Sequence, residues 1–185
     1  MRKVLMTFAI VFTIATASAA FAQTPYFQLY FDEGMQEASA DCPGVGVVDT
    51  LYIVAHNFDM WIGAAEFRVD YTTHLTWLGE VAVGTDLVIG SSPTGVAISW
   101  PTPRQGFNAV DMMHVTVMWN CDNCAGIGGT PGSEIIISEW PGKNSPRAVD
   151  WQTDVAIDGV GMTSLICAQV PVEETSWGQI KSLYH

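Results

Sequence analysis

The sequence predicts an all-β fold: a two-sheet antiparallel β-sandwich, jelly-roll or Ig-like, followed by a short C-terminal helix. Three observations carry that prediction. Apolar and polar residues alternate at period two through most of residues 26–170, as they do in strands with one buried face. The 17 glycines and 9 prolines recur between those runs, where turns are needed. Between Gln23 and Pro171 no stretch carries a 3.6-residue apolar period. About eight to ten short strands with this punctuation fit two packed sheets.

The chain opens on a different signal. Met1-Arg2-Lys3 is a basic start, residues 4–17 are apolar or small, and Ala20-Phe21-Ala22 forms an A-x-A cleavage site. That pattern predicts a secretory signal over residues 1–22, cut before Gln23, and the segment is too short for a membrane span. The expected organisation is signal peptide 1–22, sandwich 23–170, and a linker with an amphipathic tail over 171–185. The 163 residues that remain of the 185 make one ordinary domain, exported to the cell surface, the periplasm or the medium.

Taken in order, Tyr26 to Asp32 alternates, with Phe27, Leu29 and Phe31 on one face and Tyr26, Gln28, Tyr30 and Asp32 on the other. Val45 to Ala55 is rich in β-branched residues and forms the next strand. In Ala64 to Tyr71 the side chains of Ala65, Phe67, Val69 and Tyr71 share a core face, while Glu66, Arg68 and Asp70 point away. Leu75 to Val83, Leu87 to Ile89 and Val96 to Trp100 are shorter strands. Val110 to Trp119 directs Met113, Val115, Val117 and Trp119 inward. The triplet Ile135-Ile136-Ile137 is expected to bury both faces in a central strand, and Val155 to Ile157 and Met162 to Val170 complete the sheets. Beyond Pro171, Trp177, Ile180 and Tyr184 fall on one helical stripe behind a Ser176–Gln179 capping box. Such a short helix must dock, either on the sandwich or on a partner as a recognition tag.

Composition excludes several functions. Beyond the signal only Arg68, Arg104, Lys143, Arg147 and Lys181 are cationic against 19 carboxylates, so nucleic acid and anionic lipid are not expected partners. Export places Cys42, Cys121, Cys124 and Cys167 where disulfides persist, and four cysteines allow three connectivities. Cys121-Asp122-Asn123-Cys124 has redox or zinc spacing, yet it runs into a Gly-rich segment rather than a helix, and Cys42 and Cys167 stand alone. Two structural bridges are expected, with the close pair split between Cys42 and Cys167, because a bridge across two residues constrains little chain.

No catalytic or cofactor motif is present: no G-x-S-x-G, H-E-x-x-H, Walker A or G-x-G-x-x-G. Gly90-Ser91-Ser92-Pro93-Thr94-Gly95 has a proline where a nucleophile turn would enter its helix, and reads as a loop. His56, His74 and His114 lack ligand spacing. Glu66 and Asp70 on one strand face are about 13 Å apart, too far for a glycosidase pair. Asp32-Glu33, Asp122-Asn123 and Asp150 with Asp154 and Asp158 lack a calcium-loop pattern. Seven tryptophans are many for this length, and Trp100, Trp119 and Trp140 end strands, which makes them the candidate sugar-stacking aromatics.

Residues 49–119 resemble cohesin-type domains and the related carbohydrate-binding sandwiches. The likeness rests on Thr50-Leu51-Tyr52-Ile53-Val54-Ala55-His56-Asn57, on Ile62-Gly63-Ala64-Ala65-Glu66-Phe67-Arg68-Val69-Asp70-Tyr71 leading to Leu75, on Gly95-Val96-Ala97-Ile98-Ser99-Trp100, and on Val110 to Trp119. It implies a nine-stranded jelly roll that docks a protein module or a polysaccharide without catalysis. The four cysteines, the leading strand at Tyr26 and the lack of neighbouring repeats depart from that pattern. The whole chain, tail included, also resembles small exported proteins of environmental bacteria. The expected function is therefore a secreted, non-catalytic sandwich for binding or extracellular assembly, without cofactor or metal. Its expected partner is a protein, a polysaccharide or a further copy of the chain. The alternative is a carbohydrate-active enzyme or an accessory carbohydrate-binding module using exposed tryptophans.

Overall fold

The computed structural model describes residues 23–122, 124 and 133–167. The signal peptide expected over residues 1–22, and the tail residues Trp177, Ile180 and Tyr184 with the helix expected there, lie outside these residues. Thirteen strands are described: β1 (Tyr26–Tyr30), β2 (Ser39–Ala40), β3 (Val48–His56), β4 (Trp61–Asp70), β5 (Leu75–Ala82), β6 (Leu87–Ser91), β7 (Gly95–Gln105), β8 (Val110–Trp119), β9 (Glu134–Ser138), β10 (Arg147–Asp150), β11 (Ala156–Asp158), β12 (Val160–Gly161) and β13 (Thr163–Ile166). Among the described residues there is no helix, and none that is long and apolar enough to cross a membrane.

Two sheets face one another. The first runs β12-β1-β3-β8-β5, and the second runs β11-β10-β4-β9-β13-β2 with β7 on the other edge of β4 and β6 beyond β7. Strand β4 is long enough to pair with β7 along one edge and with β10 and then β9 along the other. Most pairings are antiparallel, as expected. Two are parallel, β1 with β12 and β13 with β2, because the last strands return beside segments near the start of the domain.

The core lies between the sheets. Phe27 and Leu29 of β1, Leu51 and Ile53 of β3, Phe67 and Val69 of β4, and Met113, Val115, Val117 and Trp119 of β8 are buried as the alternation predicts. Phe58, from the turn before β4, meets Phe27 edge to face with ring centroids 5.2 Å apart.

Several local expectations are corrected. Gln28 and Tyr30, assigned to an outer face, are buried, because β13 crosses over β1 there. The Gln28 amide donates to Ser164 Oγ at 2.7 Å, and that hydroxyl donates to the Leu29 carbonyl at 2.7 Å. The isoleucine triplet alternates instead of burying both faces. Ile135 and Ile137 face the core while Ile136 is 38% exposed, since none of the described residues forms a layer over the outer side of β9 at that point. Strand β7 continues to Gln105 through Pro101 and Pro103. It can do so because its pairing with β4 jumps from Ser99↔Ala64 to Arg104↔Ile62, so both prolines sit where no ladder hydrogen bond to β4 is required.

Cys42 bonds to Cys121 and Cys124 to Cys167, so the close pair is split as expected. The bridges tie the segment after β8 to the end of β13 and to the segment between β2 and β3. They close loops of 79 and 43 residues, each constraint stabilising by about 4 kcal/mol in the chain-entropy model.

Strands β12 and β13 form one continuous segment that changes sheet. Met162 donates to the Phe27 carbonyl at 2.9 Å on one side and accepts from Ile137 N–H at 3.4 Å on the other. Gly161 makes the crossing: a Cβ there would lie 1.6 Å from the Ile137 carbonyl oxygen. Gly161→Ala is expected to destabilise the domain by about 3 kcal/mol or more, through forced separation of β9 and β12. Gly79→Ala, in a strand position with nothing within 4 Å of the new methyl, is expected to be close to neutral. Urea denaturation of the two variants checks the contrast.

Candidate docking face

Strand alternation decides which aromatics are available to a ligand, and two of the three expected ones are not. Trp100 and Trp119 are 2% and 1% exposed. Trp119 ends β8 and Trp100 lies within β7, which runs on to Gln105; both have the inward parity, so each indole closes the core instead of emerging with a loop. Trp100 Nε1–H donates to the Val83 carbonyl at 2.8 Å, and the Trp119 ring lies 6.0 Å from that of Phe31. Trp140 is half-buried and packs over the β6–β7 turn, against Gly90 and Gly95.

Several of the titratable groups are also occupied. Glu66 forms an ion pair with Arg147 across the β4–β10 ladder, and Asp70 pairs with Arg68 at 3.0 Å and accepts from Ser138 at 2.8 Å. Asp32 Oδ1 accepts from the backbone N–H groups of Gln36 and Glu37 at 2.9 and 2.6 Å, and these bonds hold its carboxyl below the usual range. His56 stacks on Tyr26 with ring centroids 4.6 Å apart and shares a 3.0 Å hydrogen bond with the Tyr30 hydroxyl; burial lowers its pKa. His114 pairs with Asp111 at 2.7 Å. Among the described residues, the one cluster with metal-ligand geometry is Cys42, Cys124 and Cys167, whose sulfurs are spent on the bridges.

What remains open is the outer face of the sheet β6-β7-β4-β10. Ala64 and Glu66 of β4, Ala97 and Ser99 of β7, Leu87 and Ile89 of β6, and Val149 and Arg147 of β10 line a shallow trough of about 220 Å³. Small residues in the middle strands form its floor. Leu87 and Ile89 raise one wall, and the Glu66–Arg147 pair sets a polar mark beside the apolar surface.

Strand β6 gives this face its character. Among the described residues it pairs only with β7, so one of its edges has no strand partner there, and Leu87, Val88 and Ile89 are 52%, 45% and 54% exposed. Edge strands are ordinarily blunted with charge, proline or a bulge, and Leu87-Val88-Ile89-Gly90-Ser91 has none of these. An exposed apolar edge of this kind is a surface that another chain can cover.

The hairpin that presents β6 is fixed from below. Glu80 of β5 accepts from Ser92 N–H through both oxygens, at 2.9 and 3.1 Å, and also from the Ser92 hydroxyl. Trp77 Nε1–H donates to the same carboxylate at 3.2 Å, and the Tyr71 hydroxyl lies 2.8 Å from Ser92 Oγ. Burial pushes the Tyr71 phenol above its ordinary pKa, so it stays protonated. Ser92 is itself fully buried, which makes the Gly90–Gly95 segment an anchored turn, as read from its proline, and places that serine beyond reach of a substrate.

No protein-family model and no curated protein matches the sequence. Solved structures do. A chain of the CaDoc0917–CaCohA2 complex superposes with a TM-score of 0.51 at 11% identity, covering 78% of this chain and 99% of that one. CaCohA2 comes from Clostridium acetobutylicum. The cohesin module of a Clostridium perfringens family 33 glycoside hydrolase superposes with a TM-score of 0.50 at 8% identity, over 77% and 96% of the two chains. The fold is cohesin-like.

In this cohesin-like sandwich the missed features are the outward tryptophans and the open edge. The outward tryptophans are Trp61, Trp77 and Trp151. Trp61 was legible as the residue preceding inward Ile62, but the β4 irregularity at Gly63 hides its register with the rest of the strand. The edge could not be read locally, because Leu87-Val88-Ile89 has the composition of an interior strand.

Replacing Glu80 with alanine removes the acceptor for a buried backbone N–H and a buried hydroxyl. Glu80→Ala is expected to cost about 1–3 kcal/mol of stability and to accelerate amide exchange across Gly90–Gly95. Hydrogen-exchange mass spectrometry checks the second part, and unchanged exchange there contradicts the anchoring role.

Proposed function

We propose that this chain is an exported, non-catalytic docking module that engages a protein partner through the outer face and free edge of β6-β7-β4-β10. The observation that carries the reading is the uncharged, exposed Leu87-Val88-Ile89 edge strand beside an apolar trough. A protein partner satisfies both features at once, since its backbone can complete the open ladder while its side chains fill the trough. A similar fold in a structure described as a CaDoc0917–CaCohA2 complex supports protein docking as the use of such a sandwich. The occupied carboxylates and histidines, and the buried Ser92, support a non-catalytic role. The N-terminal A-x-A signal and the paired cysteines support export.

The Glu66–Arg147 pair gives the face orientation as well as area. A partner carboxylate or cation set against it gains or loses with geometry, so charge sets the register of docking more than its strength. Apolar contact at Leu87 and Ile89 supplies most of the affinity.

The test captures the partner from the exported proteins of the native source, purifies it, and titrates it calorimetrically against defined variants. Leu87→Asp and Ile89→Asp are each expected to weaken binding by about 30-fold or more without lowering the melting temperature. Val81→Asp, at a still more exposed position on the other sheet, is expected to bind as the wild type does. Equal binding by Ile89→Asp, or loss with Val81→Asp alone, contradicts the proposed face.

A further inference from the structure

A second surface lies at the end of the sandwich, away from the β6 edge, where Trp151, Trp61 and Phe107 follow one another across three neighbouring chain segments. Trp151 follows β10, and its N–H donates to the Trp61 carbonyl at 2.7 Å. Trp61 opens β4 and pairs with Gln105 of β7. Gly106 N–H then donates to the Met60 carbonyl at 2.9 Å, which sets Phe107 beside the same turn. The three rings are 48%, 39% and 45% exposed. Neighbouring strands stand about 4.8 Å apart, so the row is spread over roughly 10 Å.

Their support is specific. Gly63, in the β4 irregularity, is covered by Trp151: a Cβ added there would meet Trp151 Cε3 at 2.9 Å and its Cβ at 3.4 Å. The glycine lets one side of the indole rest on the strand while the other side faces solvent. Neither Trp61 nor Trp151 stacks on another ring, and neither indole N–H has a partner among the described residues. Their exposed N–H groups are solvated and available as donors to a ligand, and a run of exposed rings forms the kind of apolar patch that marks a binding surface.

The chemistry beside the rings selects the ligand. A cleft of about 300 Å³ is lined by Gln23, Pro25, Asn57, Asp59, Met60, Asp150 and Ile157, two of which, Met60 and Asp150, directly precede Trp61 and Trp151 in the chain. Gln23, Asn57 and Asp59 also line a cleft of about 240 Å³ that reaches Phe107. These walls offer amides and the carboxylates of Asp59 and Asp150, against which the one cation expected is the α-ammonium that signal cleavage leaves on Gln23. The described arginines are engaged elsewhere, Arg68 with Asp70, Arg104 with the Val83 carbonyl and Arg147 with Glu66. Anionic ligands are therefore repelled, whereas hydroxyl groups find acceptors and donors and C–H faces find rings. We infer that Trp151, Trp61 and Phe107 form a binding platform for a neutral polysaccharide, separate from the protein-docking edge at β6.

Affinity electrophoresis of the purified protein through gels containing hydroxyethylcellulose, glucomannan or arabinoxylan tests this, with polygalacturonate as the anionic comparison. Retardation is expected in at least one neutral glycan and not in polygalacturonate. Trp151→Ala and Trp61→Ala are expected to weaken it about tenfold or more, a loss of 1.4 kcal/mol or greater. Gly63→Ala, which keeps the ring but displaces it, is expected to weaken binding too, and Trp151→Phe to retain part of it. Melting curves establish that the variants fold. Ile89→Asp is expected to leave glycan binding unchanged, so failure here is distinct from failure of the docking edge. Absence of retardation in all three neutral glycans, retardation that survives both tryptophan variants, or loss of protein-partner binding alone in Trp151→Ala overturns the platform.

Discussion

The close approach of Gly161 to the Ile137 carbonyl is the constraint on which the rest of the sandwich depends. Sheets pack about 10 Å apart, so a strand segment that serves both must cross the gap within a few residues. Here Val160–Gly161 pairs with β1 of one sheet and Thr163–Ile166 with β9 of the other. Only a residue without a side chain allows that passage. Once the segment has crossed, Ser164 meets the buried amide of Gln28 and the Leu29 carbonyl, and Cys167 reaches Cys124. Polar satisfaction and covalent closure thus act where the two sheets are joined, and a half-satisfied network at that depth would be costly.

Rigidity at that seam frees the opposite region for interaction. The hairpin β6–β7 contributes little to the sealed core at its outer strand, yet it is held by Glu80 beneath the turn and by the long β4–β7 ladder. Its exposed apolar edge is therefore displayed in a fixed geometry and need not fold on binding, which keeps the entropic cost of association low. The irregularity at Gly63 does the same for Trp151 at the far end of β4. One strand, β4, supports both surfaces: its regular half floors the docking trough and its irregular start carries the aromatic row.

How much of this was legible follows from the range of each interaction. Period-two alternation located β1, β4 and β8 and the inward direction of Phe27, Phe67 and Val115, because burial on one face is written locally. That the close pair of cysteines is split was legible through loop length and export, whereas which of Cys42 and Cys167 each one takes was not. Gln28 was misassigned because what buries it, Ser164, lies 136 residues away. Trp100 was misassigned because its strand does not stop there but runs through Pro101 and Pro103 to Gln105, whereas the inward parity of Trp119 was legible in the alternation of β8 and outweighs its place at the strand end. Ile136 was misassigned because an apolar triplet does not reveal which side lacks a covering layer. The cohesin-like order of segments was visible across residues 49–119, whereas the two parallel pairings depend on contacts between the ends of the domain that no local pattern records.

Residue-resolved amide hydrogen exchange on the intact protein addresses the central claim, that a sealed seam at β12–β13 supports an open edge at β6. The account predicts that Met162 and Ile166 exchange as slowly as the interior amides of β3 and β8, since they donate to the Phe27 and Ser133 carbonyls. It predicts fast exchange for the alternate amides of Leu87–Ser91 that point away from β7. Rapid exchange at Met162 and Ile166, or uniform protection along β6 in the isolated protein, would contradict it.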